Sequence, residues 1–240
     1  MTNRKSIFRF KQFECRHQAS SMKIGVDAVL VGAWARVEEC RRILDVGTGC
    51  GVIALMCAQR NPEAIIDAID IDAPSVAEAY ENFRNSPWAA RLNALNVSFE
   101  NLSANSYDLI ISNPPFFNSG VENPDSPRLK ARHEAELSPA NLLSKGKDML
   151  TDRGRIAMIL PHDRGEEIIA EARNFNLSLL RLCEIKGHEK APFKRLLLEF
   201  GSYDNRTSNK REETQLILEL SAGQPTEEYR ELCKQFYLYF

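Results

Sequence analysis

Residues 42–51 read RILDVGTGCG, and the fold turns on them. RILDV is a short apolar run of the kind that forms a buried strand, and GTGCG breaks it. GVIALMCAQR, 51–60, then has helical spacing until Asn61-Pro62 stops it. A strand, a glycine turn and a helix make the first half of a βα unit, and the rhythm repeats downstream. AIIDAIDID (64–72) reads as a second strand and APSVAEAYENFRNS (73–86) as a helix with Pro74 in its first turn. RLNALNVSF (91–99) and YDLIIS (107–112) read as strands, SPANLLSKGKDMLT (138–151) as a helix and GRIAMILP (154–161) as a fifth strand. RGEEIIAEARNF (164–175) is helical, LSLLRLCEI (177–185) and FKRLLLEFG (193–201) are strands, and QLILEL (215–220) is an edge strand. TEEYRELCKQFYLYF (226–240) is expected to be an amphipathic helix running to the last residue, and DNRTSNKREE (204–213) a polar loop. This alternation predicts an α/β fold with a doubly wound, mostly parallel sheet.

Upstream, residues 1–23 are different in kind. They hold Arg4, Lys5, Arg9, Lys11, Arg16 and Lys23 against one acid, Glu14, with Phe8, Phe10 and Phe13 interleaved. FRFKQF (8–13) alternates with a period of two, which predicts a strand with Arg9 and Lys11 on one face and Phe8 and Phe10 on the other. DAVLVGAWA (27–35) follows as a helix, with Asp27 as its N-cap. The chain of 240 residues is thus expected to be one domain, 1–240, with 1–23 as a basic and aromatic extension.

Composition narrows the function classes. A net charge of −2 argues against an all-over nucleic-acid coat, but leaves room for a basic patch on one face. The six cysteines form no C-x-x-C pair and the four histidines do not cluster with them, so reduced thiols and no metal are expected. No signal peptide or membrane-length apolar run is visible, which predicts a cytoplasmic protein.

Two stretches carry chemistry. In LDVGTGCG (44–51), Gly47, Gly49 and Gly51 follow a strand and open a helix, where the backbone can approach a ligand closely. Asp70 ends the next strand and is placed to take both hydroxyls of a ribose. The spacing is G-x-G-x-G, not the dinucleotide G-x-G-x-x-G. Asp45 puts negative charge near the turn, where it would repel a pyrophosphate and attract an ammonium or sulfonium ion. S-adenosyl-L-methionine carries both cations and a ribose. Thr48 and Ile71 flank these residues and are counted with them, as is Asn113 at a further strand end. Lys23 and Asp27 are candidates to close over the cofactor, and Ser98 lies near the end of the third strand.

The second stretch is SNPPFF, 112–117, at another strand end. The Asn113 amide oxygen and the Pro114 carbonyl are two acceptors, and proline supplies no competing N–H. Two fixed acceptors match a primary amine, with Pro115 stiffening the turn. Phe116 can lie under an attached ring, a stack worth about 1–3 kcal/mol. The amine belongs either to a nucleobase or to an amide. Methyl transfer to it needs alignment more than a strong base, so neither His133 nor His162 is required.

LDVGTGCG, AIDID and NPPF, in this order, resemble the class I, Rossmann-like, S-adenosylmethionine-dependent methyltransferases. That resemblance implies a seven-stranded sheet. FRFKQF, MKIGVDAVLVGAWA (22–35), NSPWAARLN (85–93), SNPPFFNSGVENP (112–124) and QFYLYF (235–240) are similar to the bacterial tRNA1(Val) adenosine N6-methyltransferases. The resemblance implies methylation of the adenosine at tRNA position 37, next to the anticodon of a valine tRNA. It further implies that Asn113, Pro114, Pro115 and Phe116 hold the adenine while Gly47, Gly49 and Asp70 hold the cofactor. Ser98 departs from the acid common at that strand end. For the tRNA, candidate contacts are Arg9 and Lys11, Arg128 and Arg132 in RLKARH (128–133), and Lys194 and Arg195 in KGHEKAPFKR (186–195). No membrane and no obligate protein partner is expected. Two other enzymes of this chemistry, acting on ribosomal RNA guanine N2 or on a protein glutamine, remain open, as does an RNA-binding module without catalysis.

Overall fold

The central strands are short runs buried on both faces of the sheet. The computed structural model describes residues 7–20, 23–103, 106–115, 137–202 and 211–240. A hairpin, β1 (Ile7–Arg9) and β2 (Glu14–Arg16), precedes helix α1 (Val26–Trp34). The βα units follow: β3 (Arg42–Val46), α2 (Val52–Arg60), β4 (Ile65–Asp70), α3 (Ala73–Arg84), β5 (Leu92–Asn96) and β6 (Tyr107–Ser112). Then come α4 (Pro139–Asp148), β7 (Leu150–Pro161), α5 (Gly165–Asn174), β8 (Leu177–His188) and β9 (Arg195–Ser202). β10 (Glu212–Ser221), β11 (Gln224–Pro225) and α6 (Glu227–Cys233) complete the order.

Among the described residues one sheet of nine strands runs β11-β10-β8-β9-β7-β6-β3-β4-β5. Strands β5, β4, β3, β6 and β7 are parallel neighbours; β9 runs antiparallel between β7 and β8. The first seven from β5 to β8 make the expected seven-stranded Rossmann-like sheet. β10, parallel to β8, and the two-residue β11 extend it. QLILEL is therefore not the outermost strand.

Successive residues point to opposite faces. Ile43, Leu109, Ile111, Ala157 and Ile159 face α1, α2 and α3, while Leu44, Val46, Ile110, Ile156 and Met158 face α4 and α5. Each large side chain so buried contributes roughly 1.5–3 kcal/mol. Among the described residues no helix is long and apolar enough to cross a membrane.

Three local expectations are corrected. FRFKQF is not one strand: Phe10 N donates to the Phe13 carbonyl and the chain turns, because all three phenylalanines pack inward together. Arg9 and Lys11 therefore share no strand face. Asp27 does not cap α1. Gly25 holds that position, and Asp27 sits in the first turn. The last helix ends at Cys233, beyond which Phe236, Tyr237 and Phe240 turn in toward α6 and the hairpin rather than keep helical spacing.

Candidate active site

Strand register brings the two stretches together. Val46 pairs with Ser112 on one side and with Ile69 on the other, and Asp70 pairs with Asn96. The Ser112 hydroxyl donates to the Val46 carbonyl at 2.8 Å. Gly47, Asp70, Ser98 and Asn113 thus leave the carboxyl ends of four adjacent strands along one edge of the sheet, where open α/β sheets bind ligands.

The glycine turn has a left-handed backbone at three places, with φ of 72° at Gly47, 54° at Gly49 and 85° at Gly51. Side chains other than glycine pay for that conformation. The amides of Gly47 and Thr48 donate to the Ile69 carbonyl at 2.9 and 3.0 Å. Gly49 N donates to Asp70 Oδ2 at 2.9 Å, and Asp72 N to Asp70 Oδ1 at 2.9 Å, so the carboxylate is aimed by two main-chain donors. Gly51 serves packing: a Cβ there would lie 2.4 Å from Phe83.

Asp45 is fully buried below this turn. Its Oδ2 accepts from the Thr48 hydroxyl at 2.6 Å and from Ala54 N at 3.2 Å, while Oδ1 has no partner among the described residues. Burial pushes the carboxyl up to about 7; the Asp70 charge adds to this, and the Thr48 and Ala54 bonds oppose it. No cation among the described residues is paired with Asp45, and a cationic ligand near the turn would relieve the burial cost. Asp70 for hydroxyls, Ile71 held 55% exposed beside it, and a left-handed glycine turn over the buried Asp45 fit S-adenosylmethionine. Ser98 is less available: its hydroxyl caps a short 3-10 turn, Phe99–Asn101, by accepting from Asn101 N at 3.2 Å.

At the other strand end, Asn113 is half-buried and its Oδ1 is buried with no hydrogen-bond partner among the described residues. Pro114 is buried and Pro115 half-buried. A carbonyl oxygen left unpaired at such a position costs about 1–3 kcal/mol unless a ligand supplies the donor. Phe116, Phe117, Arg128, Arg132 and His133 lie outside the described residues.

Other candidates have partners. The Lys23 ammonium donates to the carbonyls of His17, Gln18 and Ser20 at 2.7, 3.0 and 3.5 Å, closing a turn beside the glycines. Asp27 Oδ2 accepts from Arg195 Nε at 2.7 Å, which joins a cofactor candidate to an RNA candidate at the start of β9. Arg9 is exposed and paired with Glu14 at 2.8 Å, and Lys11 donates to the carbonyls of Lys234 and Phe240. Lys194 is exposed, and its carbonyl receives His162 N at 3.0 Å. His162 stacks on Phe193 and bonds Glu184 at 3.0 Å. Trp34 lies 4.0 Å from the Arg181 guanidinium, and Trp88 packs edge-on to Phe13. All six cysteines are buried and free, and no metal-ligating cluster occurs among the described residues. Sequence reasoning missed Ser20, Glu78 and Asn82, which fix the 15–20 segment against the glycine turn. Their only signal was two polar residues four apart on α3.

Three comparisons bear on this geometry. The model of the methyltransferase small domain family matches residues 27–172. A tRNA1(Val) (adenine(37)-N6)-methyltransferase of Parabacteroides distasonis is 42% identical, over 96% of this chain and 97% of its own. One of the same name from Aeromonas salmonicida is 37% identical over 98% of both chains. The fold matches the crystal structure of a predicted O-methyltransferase from Agrobacterium tumefaciens, with a TM-score of 0.66 at 17% identity over 88% of this chain and 96% of that one. The methyltransferase motifs, the strand-edge site and near full-length relatives agree: the chain belongs to the methyltransferase small domain family, among the tRNA1(Val) (adenine(37)-N6)-methyltransferases.

Proposed function

We propose that the protein transfers a methyl group from S-adenosyl-L-methionine to N6 of an adenosine in tRNA, at position 37 beside the anticodon of a valine tRNA. The observation that carries this reading is the unpaired, buried Asn113 Oδ1 one strand away from the Gly47–Gly51 turn. Asp70, with Thr48, Gly47, Gly49 and Ile71 around it, is assigned to the cofactor. When bound, the cofactor supplies an electrophilic methyl group on a sulfonium centre.

The exocyclic amine of adenine is a weak nucleophile because its lone pair is spread into the ring. Asn113 Oδ1 and the Pro114 carbonyl accept its two hydrogens, which favours a tetrahedral nitrogen with the lone pair freed toward the methyl group. No side chain need take the proton at that moment. It passes to water once the nitrogen has become cationic. Pro115 stiffens the turn, and Phe116 is assigned the stack under the flipped base. Flipping costs little, since a loop base is already unpaired. Arg9, Lys194, Arg128 and Arg132 are assigned to phosphates, with Lys11 and Arg195 holding the segments that present them. We place the activity in the cytoplasm and assign it to the whole chain as one domain with a basic extension.

The test is incorporation of tritiated methyl from S-adenosylmethionine into total tRNA, ribosomal RNA and protein. Label is expected in tRNA. Label in protein or ribosomal RNA alone would refute the reading.

A further inference from the structure

We propose that Glu78, on α3, is a positioning residue for the cofactor end of the site. Its two oxygens take three consecutive main-chain amides. Oε1 accepts from Gln18 N at 2.7 Å and from Ala19 N at 3.0 Å, and Oε2 accepts from Ser20 N at 2.8 Å. Consecutive amides turned one way form a concave anion site, and bonds to a carboxylate are the short, strong kind. On the opposite side of the same turn the Lys23 ammonium takes the carbonyls of residues 17, 18 and 20. The turn is held between a negative and a positive group, each matched to the end of the peptide dipoles it meets.

What the turn touches gives Glu78 its role. Ser20 is 3% exposed, and its hydroxyl lies 3.3 Å from the position a Cβ on Gly49 would occupy. Gly49 N in turn donates to Asp70. A continuous path therefore runs from Glu78 through Ser20 and Gly49 to the carboxylate assigned to the ribose. The hairpin itself is docked without Glu78. Asn82, one helical turn on, accepts from Arg16 N and donates to the Arg16 and Cys50 carbonyls, and Phe10, Phe13 and Cys15 are buried. Glu78 is thus free to set the turn rather than to anchor the extension. The inference rests on the reading of the glycine turn as the cofactor end.

The experiment is calorimetric titration of S-adenosylmethionine into the wild-type protein and into Glu78→Ala, Glu78→Gln and Trp88→Leu, with KM and kcat measured on tRNA. Glu78→Ala is expected to raise Kd and KM for the cofactor by at least about tenfold, while kcat at saturating cofactor stays within about threefold. Glu78→Gln keeps one acceptor oxygen and the side-chain shape, and is expected to recover part of the loss. Trp88→Leu loosens the hairpin at Phe13 and is expected to leave Kd within about twofold. The inference is overturned if Glu78→Ala and Glu78→Gln both bind like wild type, or if Trp88→Leu weakens binding as much as Glu78→Ala. Absence of binding to the wild-type protein would overturn the cofactor reading instead, and this inference with it. Faster amide exchange at residues 18–20 in Glu78→Gln, together with weaker binding, supports it even if Glu78→Ala does not fold.

Discussion

Asn113 and Asp45 each keep a buried side-chain oxygen without a hydrogen-bond partner among the described residues. Asn113 Oδ1 has no partner among the described residues, and the account gives it one in the substrate amine. Asn113→Ala is expected to lower kcat by about 10²–10³, the usual cost of losing one preorganised hydrogen-bonding group at a reacting centre. Cofactor Kd should stay within about threefold; a large loss of affinity would move Asn113 to the cofactor. Asp45 has its carboxyl raised by burial from an ordinary 3.8 to about 7. Between those values the folded protein keeps a proton that the unfolded chain has lost, so this group lowers stability as pH rises from about 4 to about 7 and adds no slope above. Urea unfolding followed from pH 4 to 8 should show that decline in the cofactor-free wild type and less of it in Asp45→Asn. Equal slopes would contradict the assignment. Asp45, Gly47 and Asp70 could be singled out because the glycine turn and the following strand end lie within a few residues of chain. The Asp27–Arg195 pair could not be, since its members stand 168 positions apart and meet only because α1 packs on β7, whose end pairs with the start of β9.

At the scale of elements, the turn from β3 into α2 carries the strongest constraint. Gly51 is the N-cap of α2, left-handed, and its missing Cβ makes room for Phe83 of α3. Gly51→Ala is expected to cost about 2–5 kcal/mol, from about 1–2 of left-handed strain and about 1–3 of overpacking. Chemical denaturation measures this, and adding Phe83→Leu should recover the packing share alone. The sequence counted Gly51 with Gly47 and Gly49 toward the cofactor; spacing does not show that its missing Cβ also makes room for a phenylalanine. From β3 to β10 strand and helix order was readable, since buried parallel strands are continuous apolar runs. Element ends were harder. FRFKQF alternates like a strand, yet its rings gain more by packing together across a turn against Trp88 and Tyr237.

At the scale of the whole molecule, the carboxyl edge of the sheet carries the residues assigned to the cofactor and to the amine, and Arg195 at the start of β9 pairs with Pro161 at the end of β7 on the same edge. The hairpin brings Arg9 to the surface near α6 and the last residues, where Glu14 is its ion-pair partner among the described residues. Arg9→Gln is expected to weaken tRNA binding and to reduce the slope of log K against log salt by about one unit. An unchanged slope would leave the hairpin a packing role only. Lys11→Ala should act differently, lowering stability through its lost contacts to residues 234 and 240. The central claim is the chemistry at that edge: an adenosine amine beside the anticodon accepts the methyl group. The most direct measurement is mass-spectrometric mapping of an unmodified valine tRNA after incubation with the protein and isotope-labelled S-adenosylmethionine. The account predicts label at N6 of adenosine 37 and none when that adenosine is replaced by guanosine. Label on another base, or label that persists after the replacement, would contradict it.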